Sequence, residues 1–448
     1  MLFGRERPGE NVVLRGARVV DPAEGIDATL DVRIDNGVIA AIAERVDANE
    51  HRVVDAAGLV LAPAFVDPHV HLRTPGREDE ETIASGTSAA AAGGYCAIFA
   101  MPNTDPVLDS AAALGALIET AGREAEVPVG FLAAITRGQG GKELTEMAEL
   151  ADAGAVAFSD DGVPVVSAGL MRRALQYASI TGRPLALHCE EPSLSHGGHV
   201  HEGSVAAELG FAGCPSVAES VMVERDLALA AYEDQRIHLL HLSAAESVAA
   251  LRRACDEGVH ATAEVTPHHL VLTDEMLVSP IPYDTNVKMN PPLRASEDRD
   301  AMLAGLADGS VDVIATDHAP HHYDEKHVEF DRAAFGITGL ETAVSLCLDR
   351  LVHAGVISLA RLIELLSVNP AKILGVAGGS LAAGAPADVT ILAPDLAVTV
   401  SVARMRSKAK NTPFDGWQLR GGVAATIVGG RVVYEGVGSL LQFLPPAL

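Results

Sequence analysis

Residues 61–72, LAPAFVDPHVHL, decide how this chain is read. An apolar run closes on His69 and His71, two residues apart, and Arg73 follows at the same spacing in FVDPHVHLRTPG (65–76). On an extended strand such positions project to one face. The two histidines could then hold one cation from one edge, with the arginine beside them. The opposing reading is ordinary strand alternation carrying a pair of hydrogen-bonded histidines. What separates the two is whether the rest of the chain brings further ligands to the same place.

Seven later runs share the style of the first: CAIFAMPNT, PVGFLAAIT, AVAFSDDG, PLALHCEE, IHLLHLS, HATAEVTPHH and VDVIATDHAP. Most are short apolar stretches that end in polar, ionisable residues. Helical stretches rich in Ala, Glu and Leu, such as SAAALGALIETAG and SAAESVAALRRACDEG, lie between them. Short buried strands alternating with helices are the βαβ signature. Eight such strands over residues 61–374 are the number that a closed (β/α)8 TIM-like barrel needs. All carboxyl ends of a barrel meet on one face, so His69, His71, Asn103, Asp160, Asp161, His188, His241 and Asp317 become neighbours. An open doubly wound sheet ranks second, because it would not gather all eight ends and no GxGxxG loop opens a helix here.

The flanks read differently. NVVLRGARVVD, LDVRIDNGVIAAI and HRVVDAAGLV within residues 1–60, and ADVTILAP and AATIVGGRVVYEG within 375–448, are β-branched runs separated by turns. Asp35-Asn36 followed by Gly37 is a hairpin signal. The two ends can pair into one small composite β-sandwich domain, giving an α/β chain of three segments around one barrel.

Composition narrows the partners. With 48% hydrophobic residues and 42 glycines the chain is a well-packed globular protein rich in tight turns. A net charge of −27 with no Lys/Arg-rich run repels phosphate backbones and anionic lipid, so the expected partner is a small molecule, not nucleic acid or membrane. Five scattered cysteines without a CxxC pair argue against disulfides or a structural zinc knot. MLFGRERPGE places charges where a signal peptide needs an apolar core, and a cytoplasmic location is expected.

Four histidines with one or two carboxylates, and no cysteine, suit zinc or a similar divalent ion in an open catalytic site. Two ions would need an anionic bridge, which either Asp160 or Asp161 could supply while the other caps a turn. Such an ion lowers the pKa of bound water to about 7. Asp317 could accept the proton and pass it to a leaving group. The chemistry that this set supports is metal-assisted hydrolysis.

DPHVHLRTPGREDEETIASGTSAAAAGGY, MPNTDPVLD, FSDDGVPV, LHCEE, TPHHL, MNPPLR, ATDHAPH and SKAKNTPFDGWQL, taken together and in this order, resemble the class I (bacterial-type) dihydroorotases of the amidohydrolase superfamily. The resemblance runs over essentially the whole chain. It implies a zinc-dependent, reversible interconversion of (S)-dihydroorotate and N-carbamoyl-L-aspartate in de novo pyrimidine (UMP) biosynthesis, with one or two zinc ions per subunit and two favoured. It also implies roles. His69, His71 and Asp317 resemble the ligands of the first metal, Asp161 of the DDG motif the bridge, and His188 and His241 the ligands of the second. Asp317 is in addition the proton-transfer group. His71, Arg73, Asn103, Asn290, His321 and the backbone of Phe335 and Gly336 resemble the substrate-binding set. A planar guanidinium suits a carboxylate.

His199, His201, His322 and His327 read as surface-loop residues, and His268-His269 as side chains that satisfy backbone groups. HHYDEKHVEFDRAAFGITG reads as a substrate loop. Hydantoinases and allantoinases of the same superfamily also open cyclic amides, commonly with a carboxylated lysine as bridge, but AGAVAFSDDGVPV contains no lysine. A contrasting reading is an inactive dihydroorotase-like subunit that scaffolds aspartate transcarbamoylase. Such a chain should have lost metal ligands, and every matched ligand position is filled. A homodimer is expected, and an active enzyme could still associate with aspartate transcarbamoylase.

Overall fold

Two large sheets, besides a two-stranded one formed by Val200–His201 and Gly213–Cys214, organise the computed structural model, which describes residues 1–5, 9–436 and 442–444. The first contains eight parallel strands in the order of the sequence: Phe65–Val70, Tyr95–Ala100, Val129–Ala133, Ala157–Phe158, Leu185–Leu187, Ile237–Leu239, Ala261–Val265 and Val313–Ile314. Seven fall within the runs identified above, and the second overlaps its run but begins one residue earlier, at Tyr95. Closure comes from a parallel bridge between Val70 and His318, where the His71 amide donates to the His318 carbonyl at 2.9 Å. Asp67 draws the first and last strands together further. Its carboxylate accepts from the Thr316 hydroxyl at 2.6 Å and from the Thr316 amide at 3.2 Å.

The barrel strands are buried on both faces, which is why they read as near-continuous apolar runs. Alternate residues nonetheless go to different cores. Phe65, Ile98, Phe131, Phe158 and Leu185 pack with the surrounding helices, whereas Val66, Ala97, Phe99, Leu132 and Ala157 belong to a separate inner cluster. The helices start at the signals the sequence offers. Ser110 and Ser167 cap Ala111–Glu124 and Ala168–Thr181 by accepting backbone N–H bonds, and Thr82 with Ser85 forms a capping box before Ile83–Ala92.

The second sheet draws on both flanks. It runs from Arg431–Glu435 through Gln418–Val428, Val389–Thr399 and Val60–Pro63 to Val12–Asp21, Ile26–Asp35 and Val38–Ala43. Val12–Asp21 also pairs in parallel with Arg52–Asp55, whose other edge takes Gln442–Leu444. The hairpin turn is made by Asn36 and Gly37, both at positive φ (51° and 84°), the geometry that Asn-Gly supplies at least cost. One core, including Val19, Ile34, Leu61, Val389 and Ile427, joins strands from the two flanks.

One expectation needs correction. LAPAFVDPHVHL is not one strand: Val60–Pro63 pairs with Val389–Thr399 of the composite sheet, and the barrel strand begins at Phe65. Both halves are buried, and the residues on either side of Ala64 are apolar, so composition does not mark the boundary between them. Among the described residues, no helix is long and apolar enough to cross a membrane.

Candidate metal centre

The carboxyl ends of the barrel strands bring together His69, His71, Asp161, His188, His241 and Asp317, each at most 7% exposed. His69, His71 and Asp161 form one group of potential ligands, and Asp161, His188 and His241 a second, with the ligand atoms of each group within 4.8 Å of one another. Asp161 is common to both. Its carboxylate oxygens lie 3.6 Å from His69 Nε2, 3.6 Å from His71 Nε2, 3.5 Å from His241 Nε2 and 3.8 Å from His188 Nδ1. Asp317 Oδ1 stands 3.4 Å from His69 Nε2 and 3.0 Å from His71 Nε2.

Asp160 turns away from this centre. It accepts from the Ile135 and Thr136 amides at 2.8 and 3.1 Å and from the Thr136 hydroxyl. Of the two aspartates that the sequence left open as a bridge, only Asp161 faces the histidines.

Three of the histidines are held by their outer nitrogens. Glu264 accepts from His69 Nδ1 at 2.6 Å, Asn103 Oδ1 from His71 Nδ1 at 2.9 Å, and Glu190 from His188 Nε2 at 3.1 Å. That leaves His69 Nε2, His71 Nε2 and His188 Nδ1 on the inner side, within 3.8 Å of Asp161, with His71 Nε2 also 3.0 Å from Asp317 and His188 Nδ1 2.8 Å from His241 Nε2. Outer partners that fix tautomer and ring direction are the usual companions of metal-binding histidines. His69 Nε2 is buried without a hydrogen-bond partner. An orphaned buried nitrogen beside two carboxylates, in a set of imidazoles and carboxylates without thiolate, fits a divalent cation. The two groups sharing Asp161 suggest a binuclear centre.

Electrostatics agree. Burial opposes charge on His69, but Asp317, Glu264 and Asp161 outweigh it and hold the imidazole well above its ordinary value. Burial likewise opposes the Asp161 carboxylate, yet His69, His241 and His71 keep it well below the usual range, and Asp317 is lowered in the same way. Glu190 and Glu264, despite burial, are pulled to about 2 by the histidines they face. Asp160, without such a neighbour, is pushed by burial to about 6. Positive charge is what this cluster is built to hold.

The residues matched to substrate binding lie around the centre in two groups. Arg73 Nε donates to the Pro320 carbonyl at 3.0 Å and sits 3.2 Å from Glu80, while Arg73 Nη2 is 3.3 Å from His321 Nε2. His321 Nε2 donates to the Phe335 carbonyl at 2.7 Å, which joins that group to Phe335 and Gly336. Gly336 has φ +124°, and a Cβ there would stand 2.6 Å from Ala319 Cβ and 3.2 Å from His321 Nε2, so glycine is required by the close approach. On the other side, Asn290 Nδ2 donates to Glu190 at 2.8 Å. Glu190, Asn290 and Phe335 share a cavity of about 260 Å³. Asn103 connects the centre itself, since its Nδ2 also donates to Asp161 at 3.3 Å.

Strand alternation does not extend as far as the sequence reading took it. Arg73, His241 and Asp317 have positive φ (57°, 31° and 45°), so the backbone has left the extended conformation at each. His318 points away from the centre, to Glu81 at 3.2 Å. His327 is exposed, but His201 lies on the short strand Val200–His201 and receives Arg294 Nη1 at 3.2 Å. His269 donates to the Pro291 carbonyl at 3.0 Å, as expected, whereas His268 Nε2 is buried without a partner.

The sequence reading missed Glu264 and Glu190. A glutamate inside the strand run ATAEV was the available signal for the first. Glu190, next but one to His188 in LHCEE, was the signal for the second.

Residues 58–247 match the Dihydro-orotase-like family and residues 222–434 the Amidohydrolase family. The dihydroorotase of Pelotomaculum thermopropionicum is 50% identical over 424 residues, covering 95% of this chain and 98% of that protein. That of Syntrophus aciditrophicus is 48% identical over 426 residues, covering 95% and 99%. Among solved structures, L-hydantoinase from Arthrobacter aurescens superposes with a TM-score of 0.86 at 27% identity, covering 97% of this chain and 98% of that one. Dihydropyrimidinase from Brevibacillus agri NCHU1002 shares the fold, with a TM-score of 0.83 at 23% identity over 96% of each chain. Four histidines from three strand ends meeting on Asp161, in a chain 48–50% identical to the two dihydroorotases over 95% of its length, place the protein: it belongs to the bacterial-type dihydroorotase family of the amidohydrolase superfamily.

Proposed function

We propose that this chain is a zinc-dependent dihydroorotase that interconverts (S)-dihydroorotate and N-carbamoyl-L-aspartate in de novo pyrimidine biosynthesis. The observation that carries the proposal is the pair of His/Asp groups sharing Asp161, in a chain 50% identical to a curated dihydroorotase. His69, His71 and Asp317 would hold one ion, His188 and His241 the other, and Asp161 would bridge them. Divalent ions so held supply polarisation of the ring carbonyl and activation of water near neutral pH. Imidazole and carboxylate donors suit zinc.

The chain's own residues do the rest. Asp317, its oxygen 3.0 Å from His71 Nε2, takes the proton of the attacking water and delivers it to the departing ring nitrogen. In the reverse direction the same carboxylate removes the amide proton of N-carbamoyl-L-aspartate. Arg73, already tied to Glu80 and Pro320, presents its fork to the substrate carboxylate. Asn103, His71, Asn290, His321 and the Phe335-Gly336 backbone border the ring. A homodimer, free or joined to aspartate transcarbamoylase, completes this reading.

The superposition with L-hydantoinase favours one second reading, a cyclic amidohydrolase of other specificity. The two buried lysines are engaged elsewhere: Lys288 Nζ donates to the carbonyls of Phe330 and Asp331, and Lys326 Nζ to those of Lys288, Ala334 and Gly336. Neither is offered as a carboxylated bridge. Purified protein with zinc, given dihydroorotate, hydantoin and allantoin, should open dihydroorotate fastest. Asp317→Asn should lose at least about a hundredfold of that turnover while keeping the wild-type circular dichroism spectrum. Faster opening of hydantoin or allantoin would select the second reading.

A further inference from the structure

Glu264 lies in the seventh barrel strand and is fully buried. A carboxylate in the interior of a barrel is costly unless every lone pair is used. Here three groups use them. Oε1 accepts from His69 Nδ1 at 2.6 Å and from the His241 backbone amide at 3.3 Å, and Oε2 accepts from His238 Nε2 at 3.1 Å. His238 is fixed in turn, its Nδ1 lying 2.9 Å from the Thr262 hydroxyl.

These contacts touch both halves of the centre. His69 belongs to one group of potential ligands and His241 to the other, yet they come from the first and sixth strand ends. Against His69, the carboxylate selects the Nδ1–H tautomer and leaves the Nε2 lone pair, which has no other partner, directed between Asp161 and Asp317. Against His241, it holds the amide of a residue whose backbone stands at φ +31°, a conformation that a β-carbon disfavours and that its surroundings must enforce.

We infer that Glu264 is the positioning residue of the metal centre, setting the tautomer of His69 and the backbone of His241 together so that both metal positions form as one unit. The inference rests on His69 and His241 being ligands as proposed above. Glu264 touches neither substrate nor metal in this account. It acts only through the two histidines.

Glu264→Gln tests it. The amide keeps one acceptor oxygen but turns the other lone pairs into donors, and His238 can accommodate that by changing tautomer. The full-length variant should fold, and its zinc affinity, measured by competition with a chromophoric chelator, should fall by about 10- to 100-fold. The visible spectrum of the cobalt-substituted protein should change in position or intensity, which a merely structural role would not produce. If Glu264→Gln folds poorly, Glu264→Asp carries the test. It keeps the charge but shortens the reach, and it should also bind zinc more weakly than wild type. His69→Asn separates the two claims. If it retains zinc at wild-type affinity, the ligand assignment itself fails. If His69→Asn loses zinc while the Glu264 variants keep wild-type affinity and an unchanged cobalt spectrum, the ligand assignment stands and the role of Glu264 is refuted.

Discussion

Asp160 and Asp161 are adjacent, chemically identical and both buried, yet one braces the loop after the third barrel strand and the other faces four histidines. The difference makes a sharp pair of predictions. Asp161→Asn should bind less metal than wild type, measured by metal analysis after dialysis, with little change in the folded structure. Asp160→Asn should keep its metal but lose about 1–3 kcal/mol of stability in a denaturant titration, because the Ile135 and Thr136 amides lose a charged acceptor. At this scale residue types were legible from sequence and directions were not. Alternation placed His69 and His71 together, but Arg73, His241 and Asp317 sit at positive φ, where a period-two rule no longer applies. Glu264 escaped because its partner His69 lies on the first strand and Glu264 on the seventh, so the pairing itself is not visible locally, whereas Glu190, two residues from His188, was open to view in LHCEE and was overlooked.

Elements are joined to the centre by a second set of buried charges. Glu81, just ahead of the helix Ile83–Ala92, accepts from His318 Nε2 at 3.2 Å, from the Ser407 hydroxyl at 2.5 Å and from the Lys408 amide at 3.1 Å. It thereby ties the residue after Asp317 to the segment that precedes Gln418–Val428. Burial opposes its ionisation, but His318 and Ser407 hold the carboxyl below its ordinary value. With the folded value lowered, the unfolded chain binds more protons in mild acid, so this stabilisation is complete above about pH 4.5 and fades as pH falls through the folded value. Glu81→Gln should therefore cost about 3 kcal/mol at pH 7. Its deficit against wild type in urea titrations should shrink on acidification below pH 4.5, whereas a deficit independent of pH would show that charge is not what matters. The strands themselves were legible, because apolar runs with polar ends mark them. The junction of composite sheet and barrel at Ala64 was not, since Val60–Pro63 and Phe65–Val70 are equally buried.

The whole molecule is a barrel seated against a sheet made from both flanks. The seam is polar at defined points: the Thr390 hydroxyl donates to the Gly94 carbonyl at 2.5 Å, Thr426 to Ala91 at 2.7 Å and Ser367 to Ala64 at 2.7 Å. At this scale the α/β class, the eight barrel strands and the pairing of the two flanks were legible because buried parallel strands and half-exposed antiparallel ones differ in pattern. The centre exists only because the barrel closes. Asp161 can serve two groups of histidines because the ends of the first, fifth and sixth strands meet around it. The most direct test is to strip the protein with a chelator and titrate zinc back while following dihydroorotate opening. Turnover should rise from near zero and level off at two equivalents per chain. Full turnover in the stripped protein, with no response to added zinc, would contradict the account.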